Sequence, residues 1–466
     1  MTGPSLKRTT FTTSRLLEFC STRELTNLIG HDTHEWPLVV IKELVDNSLD
    51  AAEEAGVAPC IEIEVSTADR AISVTDNGPG IPTKTVTSIL DFSSRTSSKE
   101  AYCSPTRGQQ GHALSTILAM PFALARGDEA PGQIIIEAHG VRHDVALQYD
   151  PIRRVPIPKH ERSPSFVKAG TRFAVQWPVS GTSKLADAKA RFLQIADAYT
   201  WMNPHLGLTL SWDGVKEIAV NAYKADWKKW LPLDPTSAHW YDYARFERRI
   251  AAQIAHDQDR KKDTLIREFL VEFRGLSGTA KQKAVLDKVG GARVSLSSLY
   301  GDRGFNKSKI TKLLSAMQEE TKPVQPKQLG VIGGPSLVWR FFEAGAEVGG
   351  RSFQYKAIPA ENDGRPCLVE TAFAPSRSIT RRHLVVGVNW SPAISGNPFK
   401  AIGKGGDSLD SLLASLRVQH HDKAILLVHV ACPTVQYIDR GKAAMVVGGE
   451  GQFADEEDTF DDPVAP

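Results

Sequence analysis

Residues 43–51 read Glu-Leu-Val-Asp-Asn-Ser-Leu-Asp-Ala, and no other stretch restricts the fold as sharply. Glu43, Asn47 and Asp50 recur at close to one helical turn, so a helix carries them near one face and turns Leu44, Val45 and Leu49 toward a core. The apolar spacing extends that helix from Trp36 to Ala55, where Gly56 and Pro59 stop it. A polar helix face is commonly plain surface, so its meaning depends on what the chain supplies next.

Ile61–Val65 alternates apolar and acidic residues and Ala71–Thr75 repeats the two-residue period, which predicts two strands. They deliver the chain to Asp76-Asn-Gly-Pro-Gly-Ile81, too rich in turn residues for a strand. The polar run 93–110, with almost no apolar content beyond Tyr102, reads as a long mobile loop. Helices are expected over Ser14–Leu28, His112–Met120 and Ala186–Met202, and strands over Gln133–Ala138, Val141–Gln148 and Thr171–Trp177. Pro151–Pro164 reads as a Pro-rich surface excursion and Leu208–Trp212 as the last strand of an α+β sandwich spanning residues 1–235.

Residues 236–325 are helical and charged, with Arg245, Arg248, Arg249, Arg260, Lys261 and Lys262 clustered and Lys307, Lys309 and Lys312 beyond them; such a face is more often solvated than bound to DNA. Lys322–Gly334 reads as a linker into a third domain, 326–449. There, strands at Ser352–Ile358, Leu368–Phe373, Leu384–Asn389 and Ala424–Ala431 flank a helix at Ser408–Val418, an α/β arrangement. The acidic tail 450–466 is expected to be disordered, and there is no internal repeat.

Composition closes off several classes. Lys and Arg total 56 against 54 Asp and Glu, so bulk charge gives no sign of a nucleic-acid binder. The five cysteines show no metal-ligand spacing and fit a reducing compartment, as buried or incidental thiols. The longest apolar run, Ala424–Cys432, is strand-sized, well short of the roughly 18 residues of a membrane span. The Lys7-Arg8 terminus carries no apolar leader, so a soluble cytoplasmic protein is expected.

The polar positions form a chemical set. A helix carboxylate, Glu43, can orient and partly deprotonate a water, and the Asn47 amide four residues on can give a neutral oxygen to Mg²⁺, which takes few protein ligands and prefers phosphate and water. Asp76 precedes two glycines, Gly78 and Gly80, that let the backbone approach a flat ring, where the carboxylate can accept from an exocyclic amine such as that of adenine. Thr171, after Gly170, can complete a base pocket. Gly108-Gln-Gln-Gly111 before a helix places free N–H groups where a polyphosphate can sit. Each has a plain alternative: Glu43 an exposed helix acid, Lys99 a solvated loop residue, His112 a helix-start histidine bonded to backbone rather than phosphate. Asp50 is read as a residue that orients its neighbours and His429 as a satisfied core histidine.

In order and spacing, Glu43, Asn47, Asp76, Gly78, Gly80, Gly108, Gly111 and Thr171 resemble the ATP site of the GHKL superfamily. Residues 43–51, the run Asp76–Pro82, Thr96-Ser97-Ser-Lys99 and Arg107-Gly108-Gln109-Gln110-Gly111 are most similar to the B subunit of type IIB topoisomerases. Thr264–Leu314 loosely resembles that family's helix–two-turn–helix insert, and Leu384–Ile394 with Lys423–Val446 resembles its transducer domain, of ribosomal-S5-like type. Two departures stand out: Gly111-His112-Ala113 replaces the usual Gly-x-Gly, and Gly448-Gly449 with the acidic tail stand where the family continues into a stalk helix.

The resemblance implies a Bergerat-type ATPase that uses ATP and Mg²⁺. Glu43 is its base, Asn47 its metal ligand, and Asp76, Gly78, Gly80, Ile81 and Thr171 its base pocket. Thr96, Ser97, Lys99 and Arg107 through Ala113 form a phosphate-side lid, and Lys442 is the residue that reaches the terminal phosphate. It further implies an ATP-dependent homodimer, double-stranded DNA and a separate toprim-containing, DNA-cleaving A-type subunit as partners, and no membrane. A MutL- or MORC-like nucleotide-switched clamp is the alternative, and a sensor kinase a poorer third.

Overall fold

The computed structural model describes residues 20–90, 102–107, 113–150, 155–302, 304–394, 396–402, 407–435 and 445–447. They form two compact units, the first within 1–97, 110–197 and 206–221, the second within 98–109, 198–205 and 222–466. The fold is α+β.

The first unit opens with α1 (Thr22–Ile29), capped by Ser21, whose Oγ accepts from the Glu24 N–H at 3.2 Å, and α2 (Trp36–Glu54). Strands β1 (Cys60–Ser66) and β2 (Ala71–Asp76) follow, then α3 (Thr83–Ile89), α4 (Ala113–Leu124), β3 (Gln133–Ala138), β4 (Val141–Asp150), β5 (Val155–Pro164) and β6 (Thr171–Gln176). Helices α5 (Thr182–Asp187) and α6 (Lys189–Met202) lead to β7 (Gly207–Trp212) and β8 (Val215–Val220). The sheet has eight strands in the order β5-β4-β3-β6-β2-β1-β7-β8, antiparallel except for β1 with β7. Its strands alternate as their sequences dictate: Ile61, Ile63 and Val65 are buried while Glu62 and Glu64 are exposed. Helix α2 packs on β2, and α4 on β3, β4 and β6.

Two expectations about this unit need correction. Residues 155–164 are no excursion but the edge strand β5, paired with β4 from Val141↔Pro164 to Asp150↔Val155. An edge strand needs partners on one side only, so prolines that would break a central strand are tolerated there. Leu208–Trp212 is not the last strand. Asp213 and Gly214, with φ of 50° and 78°, make the two-residue turn that adds β8, and the same left-handed pair recurs at His139-Gly140 and Asp363-Gly364. Helix α3, after Pro82, went unread in a segment dominated by its turn residues.

The second unit begins its helices with α7 (Tyr243–Asp259), capped by Asp242, then α8 (Ile266–Leu270), α9 (Thr279–Val289), the short pair β9 (Tyr300–Gly301) and β10 (Gly304–Phe305), α10 (Lys307–Glu319) and α11 (Gly334–Glu343). Strands β11 (Gln354–Asn362), β12 (Arg365–Pro375), β13 (His383–Val388), β14 (Ser391–Pro392) and β15 (Phe399–Ile402), helix α12 (Leu409–Ser415), β16 (Ala424–Ala431) and β17 (Met445–Val447) complete it. Its main sheet runs β11-β12-β16-β13-β14, and β16, apolar at every position but His429, is buried throughout.

Arg249 is not on a solvated basic face. It is 2% exposed, its guanidinium bonds Tyr102 and Glu272, and it lies over the Tyr102 and Phe269 rings. Nor is 322–334 a free linker: Val324, Leu329 and Ile332 are buried, and the Ile332 and Gly333 amides donate to Glu370 at 3.0 and 3.1 Å. Glu370 is fully buried and also accepts from Tyr355 Oη at 2.7 Å and His429 Nδ1 at 3.0 Å. His429 Nε2 accepts from the Trp390 N–H, so the ring proton sits on Nδ1, and the histidine is the satisfied core residue expected.

Burial pushes the Glu370 carboxyl up, but these donors outweigh it and hold it below its ordinary value of 4.5. A depressed carboxylate stabilises the fold above its unfolded pKa and loses that contribution as pH falls through the folded one. Glu370→Ala is expected to cost about 3–5 kcal/mol in urea unfolding at pH 7. The deficit relative to wild type should shrink as pH falls below 4.5; a cost under about 1 kcal/mol would show that the network carries little.

Candidate active site

Helix α2 is a core helix with one opening. Of Trp36–Glu54 only Glu43, Asn47, Ala51 and the terminal Glu54 escape burial, and the first three recur every four residues as a single stripe. Asp50, seven residues past Glu43, lies on the same side of the helix but is 3% exposed, so burial sets it apart from the open positions, as fits a residue that orients its neighbours. Lys42 and Asp46 pair within the buried face at 2.8 Å.

Asp76 ends β2 beside this helix. Its Oδ1 accepts the N–H groups of Gly78 at 2.9 Å and Thr171 at 3.2 Å, and its Oδ2 accepts the Ser48 hydroxyl at 3.1 Å. One carboxylate thus joins α2, the 76–81 turn and the start of β6. Thr171 Oγ1 in turn accepts from the Ile81 N–H at 3.2 Å. Burial raises the Asp76 pKa above its ordinary 3.8 against the pull of these three donors. A carboxylate has about four acceptor positions, and the three described bonds leave capacity on Oδ2 for an amine.

The glycines answer to close approach. A Cβ on Gly170, whose φ is +73°, would lie 1.9 Å from the Asp76 carbonyl oxygen, and one on Gly80, φ +86°, would lie 3.0 Å from the Gly170 carbonyl oxygen and from His139 Nε2. Gly78 faces Ala51 of α2, 3.4 Å from where its own Cβ would be. Turn 76–81 is therefore pressed against both 170–171 and α2.

The structure brings together Glu43 and Asn47 on one stripe, and Asp76, Gly78, Gly80, Ile81 and Thr171 in one bonded cluster. Ala113 is the first residue of α4. Arg107 belongs to the second unit, 6% exposed, with Nη2 donating to Asn203 Oδ1 at 2.6 Å. Thr96, Ser97, Lys99, Gly108, Gln109, Gln110, Gly111, His112 and Lys442 lie outside the described residues. The stretch 102–107 contradicts the reading of a wholly mobile loop: residues 103–107 are buried, the Cys103 N–H donates to Tyr241 Oη at 3.0 Å, and Thr236 Oγ1 donates to the Cys103 carbonyl at 2.7 Å. Polar composition concealed this, since these bonds come from partners more than a hundred residues away. Ser48 and Gly170 were the residues missed as supports of Asp76. Ser48 carries no signal of its own, whereas a glycine directly before a candidate pocket threonine does.

Residues 34–181 match the family described as Histidine kinase-, DNA gyrase B-, and HSP90-like ATPase. Over these residues the chain is similar to GHKL ATPase domains, and more of it resembles the B subunit of type IIB topoisomerases. The B subunit of type 2 DNA topoisomerase 6 from Thermococcus onnurineus is 41% identical over 398 residues, covering 78% of this chain and 64% of that protein. Its counterpart from Natronomonas pharaonis is 34% identical over 158 residues, 32% of this chain and 19% of the relative. The chain therefore spans less than two thirds of the length of either relative. Among solved structures, the 43K ATPase domain of Thermus thermophilus gyrase B in complex with an aminocoumarin has a TM-score of 0.37 at 12% identity, covering 93% of this chain and 85% of that one.

If the ionised form of Asp76 accepts from an adenine amine, adenine-nucleotide affinity should fall with falling pH, with a midpoint above 3.8. Asp76→Asn should weaken ADP binding about 10- to 100-fold, the worth of a charge-assisted hydrogen bond. Titration calorimetry across pH measures both, and an unchanged ADP affinity would remove Asp76 from the base pocket.

Proposed function

We propose that this chain is the Mg²⁺-dependent, ATP-binding and ATP-hydrolysing subunit of a type IIB topoisomerase-like complex. In this reading ATP-driven homodimerisation gates the passage of double-stranded DNA, and a separate toprim-containing A-type subunit cuts it. The observation that carries the reading is the pairing of an otherwise buried helix, open only at Glu43, Asn47, Ala51 and its C-terminal Glu54, with a partly satisfied Asp76 beside it.

Glu43 takes a proton from a water whose oxygen attacks the terminal phosphorus as the bond to the ADP oxygen breaks. The Asn47 amide oxygen would hold Mg²⁺, whose charge would offset that of the phosphates. Asp76 accepts from the adenine amine on Oδ2, while Thr171 and the Ile81 backbone keep the turn in register. Gly108 through Ala113, with Thr96, Ser97, Lys99 and Arg107, are assigned to the phosphate side, and Lys442 to the terminal phosphate, on the likeness of their motifs. Residues 1–235 would be the ATPase domain, 236–325 the insert and 326–449 the transducer. No helix among the described residues is long and apolar enough to cross a membrane, and a cytoplasmic setting is part of the proposal.

Glu43→Ala should lower kcat about 100-fold or more, the scale of a lost general base, while ADP affinity stays within about threefold. Unchanged turnover would unseat Glu43. Sedimentation with a non-hydrolysable ATP analogue should shift the protein to dimer; a strictly monomeric species would remove the gating step. ATP-dependent supercoil relaxation should arise only with a co-purifying toprim protein, and its absence with every such partner would leave the nucleotide-switched clamp.

A further inference from the structure

Two consecutive residues of the second unit, Asn389 and Trp390, adopt the left-handed region, with φ of 48° and 60°. Asparagine tolerates this; tryptophan rarely does and must be held there. The surroundings hold it on every side. The Trp390 N–H donates to His429 Nε2 at 3.0 Å and its carbonyl accepts from Asn203 Nδ2 at 3.0 Å. The Asn389 N–H donates to the Val430 carbonyl at 2.8 Å. The pair forms the two-residue turn of the β13–β14 hairpin, closed at Val388↔Ser391, whose geometry calls for two left-handed residues.

The Asn389 side chain reaches beyond the hairpin. Its Oδ1 accepts the Cys432 N–H at 2.8 Å, and its two Nδ2 hydrogens go to the Cys432 carbonyl at 3.0 Å and the Thr106 carbonyl at 3.3 Å. One residue on from Thr106, Arg107 is gripped by Asn203, whose Nδ2 bonds the same turn at Trp390. Asn389 and Asn203 are 2% and 0% exposed, and both amide donors are saturated: Asn203 also donates to the Tyr199 carbonyl at 2.9 Å. A single turn therefore fixes two segments far apart in sequence. Arg107 leads directly into Gly108-Gln-Gln-Gly111, and Cys432 opens the run to Lys442.

We propose that Asn389 is a positioning residue for nucleotide turnover, setting the segment that precedes Gly108–Gly111 and the segment that precedes Lys442 in one common register. The inference rests on the ATPase reading above. Only an amide does this at position 389: a carboxylate keeps the bond to the Cys432 N–H but turns a negative oxygen on two carbonyls, and an apolar side chain orphans all three groups.

The test is Asn389→Ala in the full chain, read in two ways. Turnover should lose at least about tenfold in kcat while the KM for ATP and the ADP affinity stay within about threefold, a split that general loosening of the fold would not give. Backbone amide exchange over 102–107 and over 430–435 should accelerate together, with the peptides of α2 unchanged. Asn203→Ala, which releases Arg107 from the same turn, should give the same kcat-selective loss and serves if Asn389→Ala does not fold. A folded Asn389→Ala protein with kcat within about twofold of wild type, or exchange that rises in one segment and not the other, would overturn the proposal. If the wild-type protein hydrolyses no ATP, the ATPase reading is what fails, and the exchange arm still decides whether the two segments are coupled.

Discussion

A single carboxylate holds the candidate site together. Asp76 accepts from the Ser48 hydroxyl on α2, from the Gly78 amide in its own turn and from the Thr171 amide at the head of β6. Taken from water, such a group must be satisfied or it neutralises itself, and three donors from three elements meet that demand incompletely. That shortfall makes the position chemically useful: burial raises its pKa, and one oxygen keeps the capacity to accept from a ligand. Removing the Ser48 hydroxyl would take away the bond between α2 and this carboxylate.

The second unit solves a similar problem differently. Glu370 is driven to complete satisfaction, by two backbone amides, a phenol and an imidazole, and is held below its ordinary pKa. Through His429 it reaches the Trp390 amide, and through that turn Asn389 and Asn203 reach Thr106 and Arg107. Asp76 is left with something to offer a ligand, whereas Glu370 is a fixed point on which neighbouring backbone is hung.

Local patterns made the first unit's fold largely legible. The period of 3.6 over Trp36–Glu54 and the period of two over β1 and β2 are written in neighbouring residues, as are the Glu43 and Asn47 stripe and the turn at Asp76. What escaped reading depends on partners distant in sequence. The prolines of β5 are compatible with pairing because the strand lies at an edge, a fact that belongs to the strand order. Arg249 looked like one more basic helix residue until Tyr102 and Glu272 met it. Residues 103–107, polar in sequence, are buried against groups contributed by residues 203, 236, 241 and 389. Ser48 and Asn389 serve through geometry that their immediate sequence does not encode.

The central claim is that Asp76 reads the base of a nucleotide whose phosphates lie toward Glu43 and Asn47. A crystal structure of the chain with a non-hydrolysable ATP analogue and Mg²⁺ tests it most directly. The account predicts the adenine amine within hydrogen-bonding distance of Asp76 Oδ2 and the Asn47 amide oxygen in the metal's coordination sphere. A nucleotide bound with its base away from Asp76, or a metal that leaves Asn47 untouched, would contradict it.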